Sequence, residues 1–459
     1  MKLQKFTLEP ALLFLFFGWY LSLMIITNQI LKQTCLYTYK HAAEICTQLD
    51  DKEASNSVEQ EIQPYVANIL MTINFLSYLI STVLSLFLGP WSDKYGRKKV
   101  INCIFIGFTV SMAWITLVSY SSEYIAVNSP WNYLFAQFPF MIFGGWPTLI
   151  TLILCYITDI TDEVNRSTRF TIFEIIIFIG VLIAIASSSF ILEATGATTV
   201  FFISFLCISI GTTIVIFFVD ETVAVNHDIR IVDQFKDLFT PTRVKELFKT
   251  CVRRRPGKQR QILWLLAIIL VLTNFANHGS STVFYLFVRQ TFGWNLQDLT
   301  LYEAASMIVT LFGSIVGLVV FKKILNFSDI SLSILSIVSL LIDALIKSGA
   351  NQSWQLYLAS TIALFKIISL PMLRSIMSTL VTQSEVSRIY SITTSIESIA
   401  GLGAAPLYAA TYSATLTTFP ATFYLITASV FTVALIMALF IARWLKSSQI
   451  NTKTIVTSL

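Results

Sequence analysis

The most regular feature of the chain is a succession of long apolar runs separated by short polar segments. About 20 consecutive apolar residues make a helix long enough to cross the hydrocarbon core of a bilayer. Twelve runs approach or exceed this length, so the pattern predicts an all-α membrane protein with twelve transmembrane helices. The runs lie near residues 8–33, 65–89, 99–121, 131–157, 170–192, 197–219, 262–288, 298–321, 330–349, 354–381, 388–412 and 419–444.

A long polar segment at residues 220–261 separates six runs on its N-terminal side from six on its C-terminal side. We therefore predict an N-terminal six-helix bundle over residues 1–219, which carries an external loop at 34–64, and a C-terminal six-helix bundle with a short tail over residues 262–459. Apolar and charged positions alternate at 231–251, which favours an amphipathic helix on the membrane surface. The segment between the bundles is thus predicted to be a linker.

Composition and charge support a membrane location. The chain is 55% hydrophobic and 12% charged, with a mean hydropathy of +0.72, which is too apolar for a soluble globular protein. A net charge of +5 would suit a nucleic-acid-binding protein, but most of the 31 Lys and Arg residues fall in segments on one side of the predicted spans. The positive-inside rule then places the linker and both termini in the cytoplasm and removes nucleic acid as a partner. The opposite side is assigned Lys32, Lys40, Lys52, Arg289 and Lys347.

The polar segment between the second and third runs concentrates turn formers and charges with the spacing G-x-x-x-D-x-x-G-R-K-K. Gly89 permits close helix approach and Gly96 supplies backbone freedom for a tight turn. Asp93 can pair with a cation or cap a helix N-terminus in one state and lose that partner in another. Arg97 and Lys98 also serve to hold the loop in the cytoplasm. We interpret these five residues as a gating motif; a topology signal alone is the alternative.

This spacing resembles the signature loop between helices 2 and 3 of the major facilitator superfamily of membrane transporters. The resemblance implies two six-helix bundles around a midplane site, which is the arrangement that alternating access requires.

Several ionisable side chains lie inside the apolar runs, where they are costly and tend to face a cavity or a partner. Glu174 could carry a proton, or could simply form an ion pair with Arg169. His278 follows Asn274 and Asn277 on the seventh run and titrates near neutral pH, although a polar cluster that packs two helices is equally compatible. The full set is Glu174, His278, Glu303, Asp343, Lys366, Arg374 and Glu397.

Arg374 follows Pro371, and a proline kink there would open the backbone next to a fixed positive charge. Arg374 could bind an anionic solute, or it could form a purely structural bridge with Glu397. Lys366 precedes it on roughly the same face and either joins it in a cavity or extends toward the membrane surface. Together with Asn277, these residues are the candidates for substrate binding.

A closer resemblance, to solute carrier family 46 (the proton-coupled folate transporter and its relatives), rests on several motifs spread over nearly the whole chain. It implies that Glu174 and His278 take part in proton coupling and that Arg374 takes part in substrate binding. Glu397 matches a carboxylate of the non-folate branch, which weakens a folate assignment. The motifs are Asp159-Ile160-Thr161-Asp162, Arg166, Arg169, Glu174, His278-Gly279, Leu370-Pro371-Met372-Leu373-Arg374-Ser375 and Tyr412-Ser413-Ala414-Thr415.

The six cysteines have neither metal-ligand spacing nor a dense disulfide framework. Cys35 and Cys46 share one polar loop and either stay reduced or form a disulfide if that loop faces an oxidising compartment. No phosphate-binding G-x-x-x-x-G-K-[ST] motif and no catalytic constellation is visible, so neither an ATP-driven pump nor an enzyme is predicted.

The sequence therefore predicts a secondary active transporter for a small, anionic organic solute, with protons as the coupling ion and no cofactor. It is expected to act as a monomer in the lipid bilayer of the plasma membrane, a lysosome or an endosome. A facilitated, uncoupled carrier and a transport-inactive receptor or scaffold with the same fold are the alternatives.

Overall fold

The structure is a computed structural model. It describes residues 8–42, 45–46, 56–124, 129–163, 165–223, 233, 237–238, 247, 249–250, 253–294, 296–416 and 418–457. Within these residues the regular structure is helical, and no strand occurs. The amphipathic helix predicted at 231–251 falls largely outside this part of the chain.

Seven helices precede the linker and seven follow it among the residues that the structure describes. The first set is α1 (Glu9–Gln33), α2 (Asn56–Tyr95), α3 (Arg97–Tyr124), α4 (Asn132–Ile142), α5 (Gly145–Ile160), α6 (Arg166–Thr195) and α7 (Ala197–Phe218). The second set is α8 (Gln259–Phe292), α9 (Leu296–Val316), α10 (Asp329–Ser348), α11 (Ser353–Ile362), α12 (Ser369–Thr379), α13 (Gln383–Thr415) and α14 (Thr422–Thr457). Two π-helical segments, Thr34–Thr38 and Gly317–Ile324, extend α1 and α9.

Each of the twelve predicted runs coincides with one helix or with two consecutive helical segments, so the prediction of an all-α membrane protein is confirmed. Ten stretches in the described residues are long and apolar enough to cross a membrane. The other two predicted runs have clear reasons for falling short. The run at 354–381 is divided by a turn between α11 and α12, and α13 is rich in serine, threonine and small residues.

The structure corrects the loop predicted between the second and third runs. α2 continues through Gly89 and Asp93 to Tyr95, and α3 begins at Arg97. Only Gly96 stands between the two helices, and its φ of 110° lies in the region that glycine adopts without steric cost. The predicted loop is therefore a connection of a single residue, Gly96.

Gly313 shows why a glycine stands in the middle of α9. A Cβ atom at this position would overlap the backbone carbonyl of Leu364, which lies in the turn between α11 and α12. The absence of a side chain thus lets α9 approach this turn closely, as small residues do at helix contacts in membranes.

Contacts within the chain divide it into two compact units, Met1–Leu152 with Ile179–Ile229, and Ile153–Phe178 with Arg230–Leu459. These units differ from the predicted bundles in the placement of 153–178, which includes the end of α5 and the start of α6. Arg166 and Glu174 in this segment both contact residues of the second unit, which explains the grouping.

An aromatic core fills part of the first unit. Trp19 packs edge-on against Phe108 and Trp146, with ring centroids 5.2 and 5.6 Å apart. Phe140 lies 4.3 Å from Phe108 in the same cluster. Aromatic rings bury large areas and prefer such tilted contacts, so they fix how α1, α3, α4 and α5 pack.

Cys35 and Cys46 form a disulfide, with their Cα atoms 5.8 Å apart. Both residues are buried beside Ile62 near the start of α2. The structure thus decides the question that the sequence left open, and the bond ties the end of the first helix to the segment that follows it.

Candidate functional site

Most of the ionisable residues of the predicted runs fall into two groups within the second unit, and His278 and Glu303 belong to neither. Arg374, Glu174, Glu397 and Asn274 form the first, here called the Arg374 group. Lys347, Asp343 and Lys366 line a cavity in the same unit, here called the lysine cavity. Of the two placements left open for Lys366, the structure shows neither a contact with Arg374 nor a position at the membrane surface; the side chain lines this cavity.

Arg374 lies in α12, a helix that begins only at Ser369 because the chain turns at the preceding residues. Pro371 falls in the first turn of this helix, where a missing N–H group costs little. The predicted proline kink is thus replaced by a break just before the proline. The side chain of Arg374 is 9% exposed, so its charge is held inside the unit.

Arg374 contacts two carboxylates at once. One terminal guanidinium nitrogen lies 3.6 Å from Oε1 of Glu174, and the other lies 3.3 Å from Oε2 of Glu397. Asn274 of α8 donates to the same Oε2 atom of Glu397 at 2.6 Å. The predicted contact between Arg374 and Glu397 is present, and Glu174 shares the same cation.

The two carboxylates differ in surroundings. The side chain of Glu397 is 9% exposed, and its Oε1 atom is buried without a hydrogen-bond partner among the described residues. The side chain of Glu174 is 24% exposed. Glu174 is thus the more accessible of the two, whereas Glu397 is enclosed.

The charge balance of the Arg374 group is its main chemical property. One guanidinium neutralises one carboxylate, so two ionised carboxylates leave a net negative charge in a poorly solvated site. One proton on either carboxylate restores neutrality. The hydroxyl of Tyr390 donates to the backbone carbonyl of Arg374 at 2.8 Å and holds this turn of α12 against α13.

His278 and Asn277 lie on α8, one turn beyond Asn274, and both side chains are exposed. A Cβ atom at Gly401 of α13 would lie 3.5 Å from Cδ2 of His278, so the imidazole passes over this glycine. Asn277 lines the lysine cavity instead. The described contacts do not join either residue to Arg374.

The lysine cavity has a volume of about 290 Å³. Nζ of Lys347 lies 2.8 Å from Oδ2 of Asp343, and Nζ of Lys366 donates to Oγ of Ser306 at 2.9 Å. Its walls combine hydroxyl and amide groups with apolar side chains. They are Thr273, Asn277, Ser280, Ser281, Phe284, Leu340, Asp343, Lys347, Lys366, Ile367, Leu370, Tyr424, Thr427 and Phe431.

Lys347 is the residue that the sequence did not single out as a site candidate. It lies in the last turn of α10, paired with Asp343 and 11% exposed. The four-residue spacing of Asp343 and Lys347 was the signal, because such a pair shares one helix face.

The residues of the predicted gating motif form a compact network in the first unit. Arg97 lies 2.8 Å from Asp93, one helical turn earlier across the Gly96 connection. Glu221 accepts hydrogen bonds from the backbone N–H groups of Arg97 at 2.9 Å and Lys98 at 3.1 Å. The sequence analysis missed Glu221, which supplies a negative charge at the N-terminus of α3.

The described residues contain no group of three or more His, Cys, Asp or Glu side chains placed to hold a metal ion. The chemistry available in the second unit is therefore that of charges, amides and hydroxyls.

Comparison with known proteins identifies the superfamily to which this arrangement of helices belongs. The profile of the Major Facilitator Superfamily matches residues 10–406. The chain belongs to this superfamily, whose fold is that of membrane transporters and not of enzymes.

Within that class, the chain is similar to members of solute carrier family 46, as its motifs predicted. A probable peptidoglycan muropeptide transporter SLC46 of Drosophila melanogaster is 28% identical over 450 residues, which cover 95% of this chain and 85% of the relative. The lysosomal proton-coupled steroid conjugate and bile acid symporter SLC46A3 of Gallus gallus is 26% identical over 380 residues, which cover 81% of this chain and 79% of the relative.

The fold also agrees with solved transporter structures. The human organic anion transporter MFSD10 (TETRAN) matches with a TM-score of 0.72 at 13% identity, over 94% of this chain and 97% of that one. At this identity the match supports the fold alone.

Proposed function

We propose that the protein is a proton-coupled secondary active transporter that moves a small organic anion by alternating access. The observation that carries the proposal is the sharing of one guanidinium, that of Arg374, by the carboxylates of Glu174 and Glu397. This arrangement can exist in a neutral protonated form and in a charged form, and a coupled carrier needs two such forms.

The proton step follows from charge balance. Loss of a proton from Glu174 or Glu397 leaves one carboxylate without a full counter-charge in a site of low polarity. Binding of a proton removes this penalty. Glu174 is the proposed proton carrier because it is the more accessible carboxylate, and His278 on α8 is the second candidate.

The solute step rests on Arg374, which stays charged at any physiological pH. When Glu174 is protonated, the guanidinium has one fewer anionic neighbour and attracts an anionic solute more strongly. Proton binding and solute binding then favour each other. The relatives include a proton-coupled symporter of steroid conjugates and bile acids, which supports this class of solute.

The remaining parts of the proposal concern placement. The uneven distribution of Lys and Arg supports cytoplasmic termini and a cytoplasmic linker. A plasma, lysosomal or endosomal membrane with acid on one side would supply the driving force, with no cofactor. The gating segment of Gly89, Asp93, Gly96, Arg97 and Lys98 is proposed to bias the access states of a monomer, with Asp93 and Arg97 as the ion pair that breaks.

The test is uptake into liposomes that contain the purified protein, with and without an imposed pH gradient. The panel contains a radiolabelled folate, taurocholate as a conjugated bile acid, and a muropeptide. We expect wild-type protein to accumulate at least one of these anions when the outside is acid. Glu174→Gln should lose accumulation but retain exchange of labelled for unlabelled solute, whereas Arg374→Ala should lose both.

Glu193→Gln is the matched control, because Glu193 lies on the same helix, α6, and is exposed. It should behave as wild type. Full gradient-driven accumulation by both Glu174→Gln and His278→Ala would contradict proton coupling at these residues. Accumulation that ignores the gradient would indicate a facilitated carrier, and binding of the panel without movement would indicate a receptor.

A further inference from the structure

The lysine cavity is a second polar feature of the same unit, and the Arg374 group does not account for it. It is lined by α8, α10, the turn that leads into α12, the start of α12, and α14. Buried charges are costly unless they are paired or bound, so a cavity that keeps two lysines and an aspartate needs an explanation.

The ion pair of Asp343 and Lys347 leaves part of its bonding capacity unused. Oδ2 of Asp343 contacts Nζ of Lys347, but Oδ1 is buried without a hydrogen-bond partner among the described residues. A buried acceptor without a hydrogen-bond partner is unfavourable. The pair is therefore a contact that another acidic group could replace.

Aromatic rings surround the ammonium group of Lys347. Its Nζ atom lies 5.8 Å from the ring centre of Phe284, 5.9 Å from that of Tyr302 and 6.0 Å from that of Tyr424. Ring faces attract a cation, so they hold the ammonium in place whichever anion it contacts. Lys347 is thus positioned independently of Asp343.

Lys366 supplies a second positive charge to the same cavity. Its Nζ atom donates one hydrogen bond, to the neutral hydroxyl of Ser306, and the carboxylate of Glu303 is close enough to interact with its charge. Apolar side chains, among them Leu340 and Phe431, complete the lining. Two cations above an apolar wall suit an organic acid with a ring-like body.

We propose that the lysine cavity binds the acidic group of an organic anion, with Lys347 and Lys366 as the cations that contact it and Asp343 as the group that it displaces. This inference rests on the proposed function, because it names the part of the solute that the cavity takes. A volume of about 290 Å³ is at the lower end for ligand sites, so the cavity fits an acidic head and one or two rings.

The proposal makes Asp343 a competitor of the ligand. Its carboxylate occupies Lys347 in the empty state, so the ligand must replace an existing ion pair. Removal of the negative charge should therefore strengthen anion binding, whereas removal of either lysine should weaken it. A merely structural ion pair would give loss or no change in every variant.

The test is equilibrium binding of 2-naphthoate to the purified protein in nanodiscs at pH 7.5, with no gradient, measured by isothermal titration calorimetry against empty nanodiscs. 2-Naphthamide, which has the same shape without the charge, is the matched probe. We expect Lys347→Gln and Lys366→Gln each to weaken naphthoate binding by roughly tenfold or more, the loss of one charge-assisted hydrogen bond. Asp343→Asn should tighten it several-fold.

Lys323→Gln is the control, because Lys323 is an exposed cation outside the cavity, and it should bind as wild type. The double variant Asp343→Asn with Lys347→Gln buries no unpaired charge and keeps the test valid if Lys347→Gln does not fold; it should also bind weakly. Naphthoate binding that is no tighter in Asp343→Asn, or unchanged without either lysine, would overturn the proposal. Because no gradient is present, these results do not depend on the proton step tested by uptake.

Discussion

Arg374 provides a quantitative prediction through its two carboxylate partners. A double-mutant cycle with Arg374→Gln and Glu397→Gln, and a second with Arg374→Gln and Glu174→Gln, separates the two contacts. At 3.3 Å and an effective dielectric constant of about 20, the direct attraction is roughly 5 kcal/mol. Desolvation offsets several kcal/mol of it, so a net coupling of about 1–3 kcal/mol is expected for Glu397.

The coupling with Glu174 should be smaller. Its contact with Arg374 is longer, at 3.6 Å, and its side chain is more exposed, so solvent screens the charges more strongly. We therefore expect roughly half the coupling energy or less. Arg374→Gln alone should be the least stable variant, because it leaves two carboxylates without their cation.

The assay is chemical unfolding of the purified protein in detergent, followed by tryptophan fluorescence, for each single and double variant at one pH. Glu193→Gln combined with Arg374→Gln is the control cycle, and its coupling should be zero. A coupling for Glu174 that equals or exceeds that for Glu397 would refute the reasoning from distance and exposure. A zero coupling for Glu397 would refute the ion pair itself.

Two further predictions concern other charge pairs. Asp93→Ala should reduce the initial rate of uptake far more than the amount of folded protein, because it removes an ion pair with Arg97 that biases access states. Uptake by this variant at the wild-type rate would show that the segment serves only as a topology signal. For Glu385, which precedes the predicted run at 388–412, burial acts to raise the pKa, but hydrogen bonds and charge from Arg255, with a further bond from Arg253, hold it below its usual range. Its stabilising effect is therefore present above the unfolded pKa and lost as the pH falls through the folded one, so the difference in thermal stability between wild type and Glu385→Gln should be full at pH 7 and shrink as the pH falls below about 4; a constant difference would contradict this.

The fold was predictable because bilayer thickness imposes one length on every apolar run. Each of the twelve runs coincides with one helix or two consecutive helical segments, since a run inside the bilayer must pair its backbone polar groups internally and can do so only as a helix. What the pattern could not show is where helices break inside a run. The turn that separates α11 from α12 packs closely against Gly313 of α9, which is a contact between distant parts of the chain.

The candidate site was predictable in its members but not in its grouping. A charge inside an apolar run is a strong signal by itself, and it singled out Glu174, Arg374 and Glu397, which the structure places in one group. The pairing of residues depends on helix rotation, which is fixed by packing and not by the local sequence. For this reason the sequence could not decide whether Lys366 joins Arg374, and it did not show that Lys347 lines a cavity.

Two helices carry side chains to both polar sites. α8 contributes Asn274 to the Arg374 group and Asn277 to the lysine cavity, and α12 contributes Arg374 to the first and Leu370 to the second. These positions are three and four residues apart, so each helix presents both on neighbouring turns of one face. A rotation or slide of either helix by a fraction of a turn would therefore alter the two sites in the same movement, without any longer chain of intermediates.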